Sequence, residues 1–114
     1  MLDAFYSAVQ SEGGSNVEIV VSASGWPSYG GTDAAVANAQ TYCSNLIKHV
    51  KGVTGTQKRP AKAIETYLFA MFDENQNSWA ETEKHFGLFS SDKQPKYQPS
   101  VNFAISKYTT ICSE

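Results

Sequence analysis

Val17-Glu18-Ile19-Val20-Val21-Ser22-Ala23-Ser24-Gly25-Trp26-Pro27-Ser28 is the stretch that decides how the chain folds. Its first six residues are largely β-branched and apolar, which predicts a buried strand over 17–22. The Gly and Pro that follow mark a turn. That turn holds Ala23, a methyl group with no chemistry of its own. A second stretch has the same form. IETYLFAMF, residues 64–72, predicts another buried strand and runs straight into Asp73-Glu74-Asn75-Gln76-Asn77.

Between them, Val36, Ala39, Cys43, Ile47 and Val50 recur every three to four residues. This predicts a helix over 33–50 with those residues as its buried stripe and Asn38, Gln40 and Asn45 toward water. At ~1.5 Å per residue it is roughly 27 Å long. Thr32 or Asp33 is the expected N-cap. Lys48, His49 and Lys51 fall at its end, where the helix dipole favours cations. A strand, a crossover helix and a strand imply a parallel pair and an α/β fold. Parallel strands need both faces covered, and two strands are too few to stand alone. The expectation is a slice of a larger α/β domain, or a sheet completed by partners.

Outward from this centre, Leu2, Phe5 and Val9 predict a helix over 2–11 that stops at Gly13-Gly14. Residues 51–60 read as a polar loop and 79–84 as a short helix. HFGLFSSDKQPKYQPS, 85–100, is irregular, and 101–114 reads either as a strand or as a loosely attached tail. The first residues lack the basic and apolar regions of a signal peptide. A chain that opens directly in a helical pattern is expected to be a piece of something longer.

Composition narrows the function. The 114 residues suffice for one domain, with 41% apolar and 18% charged residues. Nine Lys plus Arg against eleven Asp plus Glu give a net charge of −2, and Arg59 is the single arginine. With no basic stripe, nucleic acid is not an expected partner. No apolar run approaches the ~20 residues of a membrane span. Cys43 and Cys112 form no CxxC and no Cys/His cluster, so zinc and thioredoxin chemistry are not expected. A free Cys43 packed in the core is expected rather than a disulfide. His49 and His85 have no metal-spaced neighbours, and no metal or cofactor is expected.

Functional groups in parallel α/β folds gather where strands end. Residues 22–28 and 72–77 both occupy that position, and adjacent strands would turn Ala23 and Glu74 to one mouth. Carboxylates and amides beside aromatic rings suit a sugar: the hydroxyls bond to the polar groups and the apolar sugar face lies on the ring. On these residues alone, a polar loop with turn and capping roles explains 73–77 better, and Trp26 reads better as a packing residue. Ser24 does not fit the G-x-S-x-G nucleophile elbow.

VEIVVSASGWPS, TYCSNLIKHV, KRPAKAIETYLFAMFDENQN and EKHFGLFSSDKQPKYQ, taken together, resemble the C-terminal part of plant glycoside hydrolase family 17, the endo-β-1,3-glucanases and some β-1,3-1,4-glucanases. The resemblance covers 1–103, with 104–114 a tail outside the pattern. It implies a C-terminal fragment of a (β/α)8 TIM barrel, with strands seven and eight and their flanking helices. The family works by the retaining route: one carboxylate attacks the anomeric carbon and a second serves as acid, then base. By resemblance Ala23 stands where the motif SESGWPS carries the nucleophilic Glu. The acid/base Glu belongs to an earlier strand that this chain lacks. Glu74 and Glu83 match supporting carboxylates, while Asn77 replaces a usual lysine. Trp26, Phe72 and Asn75 are implied substrate contacts. The implied partner is a β-1,3-glucan oligosaccharide or polysaccharide, the full-length parent is expected to be a monomer, and the implied location is extracellular or vacuolar. The chain is expected to be catalytically inactive as written, either a deliberate Glu→Ala change or a truncated gene copy, with the missing front favouring the copy. The rival expectations are a non-catalytic β-glucan-binding remnant and a partner-docking fragment.

Overall fold

The computed structural model describes residues 1–52, 54–76, 78–97 and 109–111. Asn77, Cys112, the 103/104 boundary and most of the tail lie outside these residues. The element order is α1 (Leu2–Ser11), β1 (Val21–Ser24), α2 (Val36–Lys51), β2 (Thr66–Leu68), a 3₁₀ turn (Glu81–His85) and β3 (Thr109–Ile111).

The sheet has three strands in the order β1-β2-β3, and both pairs are parallel. The parallel reading of the first two strands is therefore realised. The expectation of two strands is corrected, since Thr109–Ile111 from the tail pairs with Thr66–Leu68. β1 also lies further along than 17–22. Val17 and Val20 are 50% and 43% exposed rather than buried. The reason is that β1 is an edge strand: its one ladder partner among the described residues is β2, so its other edge carries no cover.

β2 is shorter than 64–72 because the backbone changes partner after Phe69. Ala70 N–H donates to Phe86 O (3.1 Å), Leu88 N–H to Ala70 O (3.0 Å), Phe89 N–H to Met71 O (2.9 Å) and Asp73 N–H to Phe89 O (2.9 Å). The chain stays extended, but its hydrogen bonds go to the 86–89 segment instead of a neighbouring strand.

α2 buries Ala39, Cys43, Ile47 and Val50, four of the five expected residues. Val36 is exposed because the helix begins at that residue rather than at 33. Ala35, in extended backbone, is its N-cap in place of Thr32 or Asp33. Asp33 instead uses its carbonyl oxygen to accept from Trp26 Nε1 and Asn38 Nδ2, both at 3.0 Å. Ala39, Cys43 and Ile47 pack with Leu68, Leu88 and Tyr97 as the core, and Tyr42, Leu46 and Phe89 lie against it. Cys43 is a free buried thiol, as expected.

In α1 the buried residue is Tyr6, while Phe5 is 56% exposed. The helix packs through Leu2, Tyr6 and Val9, the i, i+4, i+7 row, instead of a row containing Phe5. Its neighbour is the 51–60 loop: the Arg59 guanidinium lies 5.0 Å from the Tyr6 ring centroid, and Lys58 Nζ donates to Ser7 Oγ (2.8 Å).

Candidate active site

The C-terminal ends of β1 and β2 lie side by side, and three chain segments gather beyond them. The first is the turn 22–28. It sits hard against the end of β2, where Phe69 N–H donates to Ser24 O (2.9 Å). Gly25 makes that closeness feasible, because a Cβ there would overlap the Phe69 carbonyl oxygen. Ser24 Oγ shares a 2.6 Å hydrogen bond with the Tyr42 hydroxyl of α2, and the Trp26 ring packs on Tyr42 with centroids 5.6 Å apart. The turn is thereby held to both a strand and a helix, which is the rigidity a positioned catalytic residue needs. What it presents is Ala23, with an exposed methyl group.

The second segment is 72–76. Phe72 is half-buried and packs on Phe89, centroids 5.8 Å apart. Asn75 Nδ2 donates to Ser91 Oγ (3.0 Å). Glu74 is partly exposed, and its backbone N–H donates to Lys84 O (3.1 Å). That bond joins the loop to the third segment, the 3₁₀ turn, which carries the exposed Glu83.

Asp73 is the knot between the segments. It accepts from Gly87 N–H (2.8 Å) and from Lys96 Nζ (2.6 Å), and its other oxygen lies 3.5 Å from His85 Nδ1. His85 O in turn accepts from both Ser28 N–H (2.9 Å) and Ser28 Oγ (3.1 Å). The chain 28–85–73–96 therefore ties the first turn to the second and third segments. Glu81 accepts from His85 Nε2 (3.0 Å) and from Lys84 Nζ (3.1 Å), and these two bonds hold its carboxyl below the usual carboxylate range.

The fold thus brings the segments bearing Glu74 and Glu83 together and ties both to the turn bearing Ala23 and Trp26. Trp26 is 37% exposed and donates through Nε1 to Asp33 O, so it packs and also shows a surface. Sequence reading passed over Asp73, although it lies in the quoted DENQN, because its role depends on Lys96, 23 residues away. It also passed over Tyr29 and Glu81. No group of three or more His, Cys, Asp or Glu suited to a metal ion occurs among the described residues.

A parallel sheet with polar and aromatic residues gathered beyond its strand ends is an α/β arrangement of the kind that places functional groups there. Residues 1–103 match the family model for glycosyl hydrolases family 17, and the chain belongs to that family. It is 62% identical over 102 residues to the acidic isoform PR-N of glucan endo-1,3-β-glucosidase from Nicotiana tabacum, an alignment covering 90% of this chain and 37% of that protein. Among solved structures it resembles CJP38, a β-1,3-glucanase and allergen of Cryptomeria japonica pollen. The TM-score is 0.81 at 56% identity, over 85% of this chain and 30% of that one. A more distant likeness is an active-site mutant of the Rhizomucor miehei β-1,3-glucanosyltransferase in complex with laminaritriose. There the TM-score is 0.54 at 28% identity, over 96% of this chain and 37% of that one. The chain spans about a third of the length of these relatives.

Proposed function

We propose that the chain is the C-terminal part of a family 17 endo-β-1,3-glucanase barrel, with β1 as the seventh strand and β2 as the eighth, and that it is hydrolytically silent. The observation that carries this reading is Ala23 in SASGWPS at the end of β1, within a turn still braced by Gly25, Ser24 and Tyr42. In the retaining route the nucleophile forms a bond to the anomeric carbon as the bond to the leaving oxygen breaks. A methyl group has no lone pair to form that bond, so no glycosyl intermediate arises. Loss of a nucleophile costs on the order of a millionfold in a covalent hydrolase, and the acid/base carboxylate of the family belongs to an earlier strand.

Binding is a separate matter. Phe72 offers a ring to a sugar face, and Glu74, Glu83 and Asn75 offer acceptors and a donor to its hydroxyls, with Trp26 beyond them. The ligand is a β-1,3-glucan oligosaccharide or polysaccharide. The parent enzyme is a monomer in the extracellular space or vacuole.

The test is release of reducing ends from laminarin by the chain and by its Ala23→Glu variant. Neither releases any, since the family's acid/base carboxylate belongs to an earlier strand than the ones these residues supply. Turnover by the unaltered chain would overturn the silent reading, and turnover by the variant alone would show that a working acid lies within these residues. A second reading, a partner-docking fragment, draws on the exposed Val17 and Val20 beside the open edge of β1. Retention on insoluble curdlan favours the glucan-binding remnant, and passage through it favours docking.

A further inference from the structure

Two adjoining hollows lie between the turn after β1 and the 3₁₀ turn, apart from Phe72 and Glu74. One, of about 500 Å³, is lined by Tyr29, Gly30, Gly31, Ala34 and Glu81. The other, of about 250 Å³, is lined by Trp26, Pro27 and Thr82 among others, and it shares Gly31 and Ala34 with the first. We infer that this groove is a second sugar platform, with Tyr29 as its aromatic wall and Glu81 as its hydroxyl acceptor, taking a glucose unit of a β-glucan.

The Tyr29 ring is 62% exposed, yet it is not loose. It makes an edge contact with the His85 ring at 5.1 Å, and His85 Nε2 bonds to Glu81 Oε1 at 3.0 Å. A large aromatic surface with few rotatable bonds is thus offered to solvent with one edge against His85, which lowers the entropic cost to a ligand. Glu81 stands at the other side with its side chain 51% exposed. Its two protein bonds leave further lone pairs on both oxygens, and the carboxylate form accepts from sugar hydroxyls. The floor is backbone. Gly30 has φ +97°, and a Cβ there would stand 2.7 Å from Thr82 N; one at Gly31 would stand 3.2 Å from Thr82 Cγ2. At Gly30 an added methyl would run into the Thr82 backbone, so glycine there lets the two turns approach closely, while at Gly31 it would press on the Thr82 methyl. Ring, acceptor and bare floor together match a pyranose, which is apolar on its faces and polar at its rim. A hollow of this size is within the roughly 300–1,000 Å³ of small-molecule sites.

This inference rests on the reading that the chain meets β-glucan, and one experiment separates the two. Laminaritriose is titrated into the full ¹⁵N-labelled chain and into its Tyr29→Ala variant. The expected result is amide shifts at Gly30, Gly31 and Glu81 that need about tenfold more sugar to reach half-saturation in the variant, the effect of a ring that supplies about 1.4 kcal/mol. Tyr29→Phe keeps them. Tyr29 is largely exposed, so circular dichroism is unchanged in both variants. Shifts confined to Phe72 and Glu74 would overturn the platform and leave the mouth reading intact. Shifts confined to the groove would uphold the platform and sink the mouth reading. Silence at both places would overturn both. Gel retardation in laminarin-containing polyacrylamide gives a second readout, in which Tyr29→Ala must migrate faster than the unaltered chain in sugar's presence but equally in its absence.

Discussion

Ala23 and Gly25 stand two residues apart in one turn and differ in what they leave undone. Ala23 removes chemistry but keeps geometry, since its methyl group is exposed and burdens nothing. Gly25 is needed for the geometry itself. In a Gly25→Ala variant the added methyl meets backbone, the Phe69 carbonyl, which has no flexible end to swing aside. We expect a loss of about 1–3 kcal/mol, in the range of overpacked sites, read as a lower denaturant midpoint. An unchanged midpoint would mean that the turn is not seated on β2. Cys43 shows what burial does to a thiol: it is pushed from 9.0 up to about 11, the nearby Lys96 offsetting part of the effect. Below pH 9 both folded and unfolded chains keep the proton. Between about 9 and about 11 the unfolded chain releases it and the folded chain does not, so this contribution to stability is whole below pH 9 and lost as pH rises across that window. Two pH units correspond to about a hundredfold less thiolate in the folded chain. Alkylation of Cys43 at pH 8, followed by peptide mapping, should therefore be slow until denaturant is added.

At the scale of elements, the mouth is kept in shape by a polar knot as much as by packing. Asp73 and Lys96 bond at 2.6 Å with side chains only 11% and 12% exposed, so solvent screens the pair weakly. Lys96→Met removes the donor and leaves the Asp73 carboxylate with Gly87 N–H and the more distant His85. We expect a cost of about 1–3 kcal/mol, the penalty for an under-satisfied buried polar group. A double-mutant cycle with Asp73→Asn checks it: coupling near zero would show that the two side chains do not depend on each other. β2 illustrates the same logic in the backbone, since from Ala70 on the chain's partner becomes the 86–89 segment, and the loop bearing Glu74 is thereby laid against the turn bearing Glu83.

For the whole molecule the issue is edges. A closed barrel has none, whereas β1 here has one side without a ladder partner among the described residues, and Met1, Phe5, Val17 and Val20 are exposed apolar residues. β3 takes the far side of β2 and so covers the edge that a barrel would close with a neighbouring strand. Apolar area left in water contributes nothing at the ~25 cal/mol per Å² that burial yields. The isolated chain should therefore unfold over a broad range, at a temperature that depends on protein concentration, and should aggregate on heating. Differential scanning calorimetry at several concentrations checks this. A sharp, reversible, concentration-independent transition would show that these residues are a sufficient folding unit.

The sequence by itself determined the helix–strand–helix–strand order, the stripe Ala39, Cys43, Ile47 and Val50, and the parallel pairing, because periodicity and β-branched runs are local signals. It also placed Ala23 near the end of a strand, and its segments were enough to identify the family. Only the tertiary structure decided that Tyr6 rather than Phe5 is buried, that Ala35 rather than Asp33 precedes α2, and that 66–68 alone of 64–72 forms the β2 ladder. The same holds for Lys96 completing Asp73 and for the Tyr29 ring meeting His85. Each of these depends on which distant segment supplies the next hydrogen bond or ring, and partners 23 or 56 residues away leave no trace in a local pattern.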